Sequence, residues 1–93
     1  MNTARKGAAA ERRARRILEA AGYTVVRSAA SKGVVDLVCW NAAGFKLVSV
    51  KSGRAYASAA ERDALARCAA PANTSKEIWR YPPGSRAPVI ERF

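Results

Sequence analysis

Ninety-three residues make one domain, residues 1–93, with one modest core, because a chain this short buries only about 60–65% of its unfolded surface. Lysine and arginine outnumber aspartate and glutamate by 17 to 7, a net charge of +10, and most are arginine, whose flat fork suits phosphate oxygens; a polyanion is the expected partner. The absence of histidine and of any CxxC spacing between Cys39 and Cys68 excludes a structural zinc site. Without an apolar run near the ~20 residues of a membrane span, or the apolar core of a signal peptide, the expected setting is intracellular (cytoplasmic) and reducing, with no membrane partner.

In chain order, Thr3 can cap a helix that runs through KGAAAERRARRILEAA and stops at Gly22, whose tolerance of positive φ suits a helix end. Gly7, Glu11, Ala14 and Leu18 share a stripe of that helix, which turns Glu11 toward the core side, while Arg12, Arg13, Arg15 and Arg16 spread over the other faces. Tyr23–Ser28 is β-rich, and the small, polar residues 29–33 form a turn. Val34–Trp40 and Phe45–Lys51 read as strands joined across Asn41–Gly44. A tight antiparallel hairpin there pairs Trp40 with Phe45, Val38 with Leu47, and Asp36 with Ser49. Trp40 and Phe45 are expected in the core, and the row Phe45, Leu47, Ser49, Lys51 on a core-facing side.

Residues 57–70 form a second helix, with Ser58 as cap, Glu61 at the third helical position, and Leu65 and Cys68 facing inward before Pro71 ends it. Lys76–Tyr81 and Pro88–Phe93 close the fold as two strands around the turn PPGSRA. The order α-β-β-β-α-β-β predicts an α/β fold with a mixed β-sheet flanked by helices.

Three charged groups point at one place for separate reasons: Glu11 by helical period, Asp36 by strand alternation, Lys51 by alternation and hairpin register. Carboxylates from separate elements beside a lysine suit a hard divalent cation and a phosphodiester. The same spacing also suits a partly buried salt bridge of Lys51 with Asp36 or Glu11 at the rim of the sheet. Arg5, Lys6, Arg12, Arg13, Arg16, Arg27, Lys32 and Arg54 flank the place and, as a set, favour DNA backbone over solvated charge. They lack interleaved aromatics for base stacking, so duplex arms fit better than single strands.

The stretch KGAAAERRARRILEAAGYTVVRSAASKGVVDLVCWNAAGFKLVSVKSG resembles the archaeal-type Holliday junction resolvases of the PD-(D/E)xK nuclease superfamily. Gly7, Glu11, Arg12, Gly22, Arg27, Ser28, Ser31, Gly33, Asp36, Val50 and Lys51 stand where that family has its motif residues, over residues 5–53. The resemblance implies a small restriction-endonuclease-like fold, a homodimer, and Mg2+-dependent (or Mn2+-dependent) hydrolysis of four-way, branched double-stranded DNA in recombination and repair, by a phage-encoded or archaeal protein, with no small-molecule cofactor. It implies Glu11, Asp36, Lys51 and Ser31 as catalytic residues, and Asp36, Glu11 and the Val50 carbonyl as metal ligands.

One position departs: where the family has an acid two residues before the lysine, this chain has Ser49, a neutral oxygen and so a weak or lost ligand. Three readings stand side by side. The first is an active resolvase with Glu11 completing the shell. The second is a catalytically impaired basic DNA-binding protein of the same fold, and the third is a nuclease acting on linear or flapped duplex.

Overall fold

Alanines at every fourth position let the first helix lie close on a sheet: Ala10, Ala14 and Leu18 are all buried, one turn apart on one stripe. The computed structural model describes residues 3–28 and 34–93, the side chains of residues 3–7 apart. Its elements are α1 (Thr3–Ala20), β1 (Thr24–Arg27), β2 (Leu37–Asn41), β3 (Gly44–Ser52), α2 (Ala59–Arg67), β4 (Thr74–Tyr81) and β5 (Val89–Arg92), in the order expected. The expected Thr3 cap lies among side chains outside that description. Gly22, with φ 96°, ends α1 as its sequence position predicts.

The five strands form one sheet in the order β1-β2-β3-β4-β5. The pairings are antiparallel except β3 with β4, whose parallel alignment requires a crossover, supplied by α2. The hairpin register is the expected one for Trp40 with Phe45 and Val38 with Leu47, closed by the two-residue turn Ala42–Ala43, but the ladder ends at Leu37 with Val48 and does not include the expected pair of Asp36 with Ser49. Asn41 Oδ1 accepts from the N–H of Ala43 at 2.9 Å and of Gly44 at 3.3 Å, a side-chain turn that Asn favours. Gly44 lies under the carbonyl of Asn73, 2.3 Å from where a Cβ would sit, so the hairpin tip touches the loop entering β4 only because the residue is glycine.

Alternation sends the two rows of β3 to different helices. Val48, with Leu37, Cys39, Val25, Trp79 and Tyr81, forms the core under α1, with Val50 packed against it. Ser49 and Ile78 are buried on the other face. There α2 brings its fully buried Leu65, and Lys76 Nζ donates to the Ala66 and Cys68 carbonyls at 2.8 and 2.6 Å. With only nine residues, α2 covers the β3–β4 half of its face. This corrects the expectation for the outer half: Trp40 and Phe45 are 36% and 39% exposed, because no element lies over them among the described residues.

The α1 face also buries a charge the sequence did not reveal. Glu77, 1% exposed, pairs with Lys46 at 3.0 Å and Arg92 at 3.1 Å and accepts from Trp79 Nε1 at 2.8 Å. Lys46 in turn sits 5.0 Å from the Tyr23 ring centre. Cys39 is buried and its thiol is pushed up to about 11 by that burial; Cys68 is half-buried, and neither forms a disulfide. Among the described residues no helix is long and apolar enough to cross a membrane.

Candidate active site

Asp36 stands immediately before β2 and is fixed before its side chain does anything. Its N–H donates to the Val48 carbonyl at 2.9 Å, and its own carbonyl accepts from the Ser28 N–H at 2.9 Å. The carboxylate then takes over as the strand pair opens: Oδ2 accepts the Val50 N–H at 2.7 Å. In an extended strand a residue's C=O points to the same edge as its N–H, so the Val50 carbonyl is turned toward Asp36 as well.

Glu11 reaches this place from α1. It is only partly exposed, its side chain at 20%, and its Oε1 accepts from Arg27 Nε at 2.9 Å. Arg27 thus holds an acid as well as facing solvent, a role the sequence reading, which gave it to DNA, did not assign. The electrostatics of Asp36 record who surrounds it. Burial raises its carboxyl above the ordinary range, the Val50 hydrogen bond opposes that, the Glu11 charge raises it further, and Lys51 and Arg27 lower it. Glu11, Lys51 and Arg27 therefore lie within electrostatic reach of Asp36, from one helix and two strands.

Lys51 is not paired as expected. The salt bridge foreseen with Asp36 or Glu11 is instead to Glu61 Oε2, because the crossover brings the first turn of α2 back over the end of β3. Glu61 has two tasks: its Oε1 accepts from the Ser58 N–H at 3.0 Å while Ser58 Oγ accepts from the Glu61 N–H at 3.1 Å, a reciprocal cap. Its carboxyl is held low, first by the hydrogen bond from Lys51 and then by that of the Ser58 backbone. The sequence showed the cap and missed the second role; an acid in the first turn after a strand-ending lysine was the signal.

Ser49 is 1% exposed, between Val48 and Val50 on the α2 face. Among the described residues no three acid, cysteine or histidine side chains come together closely enough to hold an ion unaided. Ser31 and Lys32 lie outside the described residues, and Arg5 and Lys6 stand on α1 with side chains outside the description. Arg12, Arg13, Arg16 and Arg54 are exposed. A cleft of ≈ 260 Å³ is lined by Ala8, Glu11, Arg12, Arg15, Arg27 and Leu37.

A mixed five-stranded sheet with one helix on each face defines a small restriction-endonuclease-like α/β domain. The family model described as archaeal Holliday junction resolvase (Hjc) matches residues 2–74. The chain belongs to that family. Its fold is similar to that of Archaeoglobus fulgidus Hjc, a Holliday junction resolvase from an archaeal hyperthermophile, with a TM-score of 0.71 and 24% identity over 95% of this chain and 71% of that one. No curated protein sequence matches.

Proposed function

We propose that this chain is a structure-selective endonuclease that resolves four-way DNA junctions by metal-dependent phosphodiester hydrolysis inside the cell. The observation that carries the reading is the Asp36 carboxylate, pinned by Val50 and under the charges of Glu11, Lys51 and Arg27 at one end of a strongly basic domain. Family membership supports the substrate class.

The donor chemistry suits Mg2+ or Mn2+. Such ions take hard oxygen ligands, keep several waters, and are commonly held by one or two carboxylates together with substrate phosphate. Asp36 and Glu11 each commit one oxygen, to Val50 N–H and to Arg27, and each retains a second; the Val50 carbonyl and, weakly, the Ser49 oxygen are the remaining donors. A bound ion supplies Lewis-acid polarisation of the phosphate and an acidified water. The chain's own residues do the rest. Val50 N–H and Arg27 fix the two carboxylates, Lys51 places a positive charge beside the attacked phosphate, and Glu61 sets the reach of the Lys51 side chain. Ser31 we assign near the scissile phosphate through its family position. Arg5, Lys6, Arg12, Arg13, Arg16, Lys32 and Arg54 follow the backbone of the arms.

Two paired cuts require two sites related by a two-fold, hence a homodimer. The exposed apolar residues Val26, Trp40 and Phe45, on the half of the sheet face that α2 leaves open, support one.

The test compares four-way junction, flap and linear duplex with Mg2+ or Mn2+, with Lys51→Ala as control. Paired nicks in the junction, lost with chelator and in the Lys51→Ala variant, are expected. A second reading, a binding protein with an impaired site, is favoured by Ser49 and by the lack of a third clustered acid among the described residues. If the unmodified chain never nicks while Ser49→Glu does, that second reading takes over.

A further inference from the structure

A second cleft lies apart from the one lined by Glu11 and Leu37. It encloses ≈ 400 Å³ between α1, the end of β3 and the loop from β4 to β5, and its lining includes Arg13, Ser52, Gly53, Tyr81, Pro82 and Arg86. Tyr81 is 2% exposed, and its hydroxyl has no hydrogen-bond partner among the described residues. Buried hydroxyls are nearly always satisfied, so the hydroxyl of Tyr81, a residue that lines the cleft, is a donor awaiting an acceptor. The cationic groups are already in place: Arg13 and Arg86 are exposed and have no carboxylate partner among the described residues. Burial raises the Tyr81 phenol, and the Arg13 charge pulls against that rise, which places Arg13 within electrostatic reach of the hydroxyl.

The carrier loop is preformed. Ser85 N–H donates to the Pro82 carbonyl at 3.0 Å, Ser85 Oγ bonds both polar groups of the Ala87 backbone at 2.9 and 3.2 Å, and consecutive prolines limit its freedom. On the other wall, Gly53 N–H donates to the Tyr81 carbonyl at 3.0 Å, tying the β3 end to Tyr81.

We propose that this cleft is a second phosphate subsite, in which the Tyr81 hydroxyl, Arg13 and Arg86 hold a backbone phosphodiester flanking the one to be cut. A hydroxyl donor and two guanidinium groups that line one cleft select an oxyanion. Its position selects the source. Ser52 and Gly53 follow Lys51 directly, so a DNA strand lying over Asp36 and Lys51 passes the mouth of the cleft. The inference rests on the nuclease reading for that geometry, but its test uses binding without catalysis.

Affinity of the intact chain for a four-way junction and for linear duplex is measured in chelator over a salt series, together with thermal melting, for the unmodified protein, Tyr81→Phe, Arg86→Gln and, as control, Arg67→Gln. Tyr81→Phe removes an unsatisfied hydroxyl and is expected to raise the melting temperature by about 4 °C while weakening DNA binding roughly tenfold at an unchanged salt slope. Arg86→Gln weakens binding and reduces the slope by about one; Arg67→Gln changes neither. A final arm adds inorganic phosphate alone. If it raises the melting temperature of the unmodified chain but not of Tyr81→Phe, while the two bind DNA equally, the cleft takes a free anion and the DNA assignment is overturned. Equal DNA binding by Tyr81→Phe with no phosphate response overturns the subsite altogether. Absence of cleavage in a separate metal assay affects the nuclease reading and leaves these binding results to stand on their own.

Discussion

At Asp36 the hydrogen bond and the charges that make the carboxylate useful also make it costly. Its carboxyl lies above the ordinary range, chiefly through burial, so the unfolded chain gives up this proton at a lower pH than the folded one does. The fold therefore loses stability as pH rises from the unfolded value through the folded one. Asp36→Asn keeps an acceptor for the Val50 N–H and removes the charge. It is expected to melt higher than the unmodified chain at neutral pH, while junction cleavage falls by roughly 10²-fold or more; calorimetry and a gel assay check the two halves. A variant that melts lower contradicts the burial argument even if it is inactive. Glu61 gives the complementary case. Glu61→Gln can still accept from Ser58 and so retains the cap, but it no longer neutralises Lys51. Expected are a stability change below about 1 kcal/mol, tighter metal-free binding of DNA, and a single-turnover rate reduced about tenfold, since the lysine is then free to follow any phosphate. If rate and affinity are both unchanged, Glu61 is a cap and nothing more.

At the scale of elements, the hairpin was readable because alternation and a two-residue turn fix its register together, and α1 because its period and Gly22 agree. The face of each row on β3 was not readable. Both faces of that strand are covered, one by α1 and half of the other by α2, so apolar residues occur on both and alternation no longer separates inside from outside. That is why Trp40 and Phe45 were expected in the core. The Lys51–Glu61 pair depends on where the crossover lands, which no local pattern encodes, and Glu77 was invisible because its partners Lys46 and Arg92 come from the strands on either side. That cluster carries its own expectation. Burial pushes the Glu77 carboxyl up, but the bonds from Trp79, Lys46 and Arg92 outweigh it and leave the carboxyl lowered. Its contribution is fully present above the ordinary value of 4.5 and is lost as pH falls through the lowered one. Glu77→Gln leaves Lys46, whose side chain is 14% exposed, without its counter-charge, and a loss of about 3 kcal/mol is expected. Acid melts should show the unmodified chain converging on the variant at low pH; parallel curves would mean the cluster is neutral on balance.

Over the whole molecule, the charge that draws DNA and the apolar face that α2 leaves open lie on one small body, and they make different demands on assembly. A net charge of +10 opposes self-association at low salt, whereas burial of Val26, Trp40 and Phe45 favours it. The proposed dimer should therefore tighten as salt rises, while DNA binding weakens over the same range. Phe45→Glu places a charge in the centre of the proposed contact without touching Asp36, Glu11 or Lys51. The variant is expected to stay folded by circular dichroism and to sediment at half the mass of the unmodified chain. On a junction with both strands labelled, it should nick one strand at a time where the dimer cuts opposed strands within one encounter. The coupling of the two cuts is the informative quantity, because a monomeric variant that still makes paired incisions would show that the second site is recruited by the junction itself and that the open face serves another purpose.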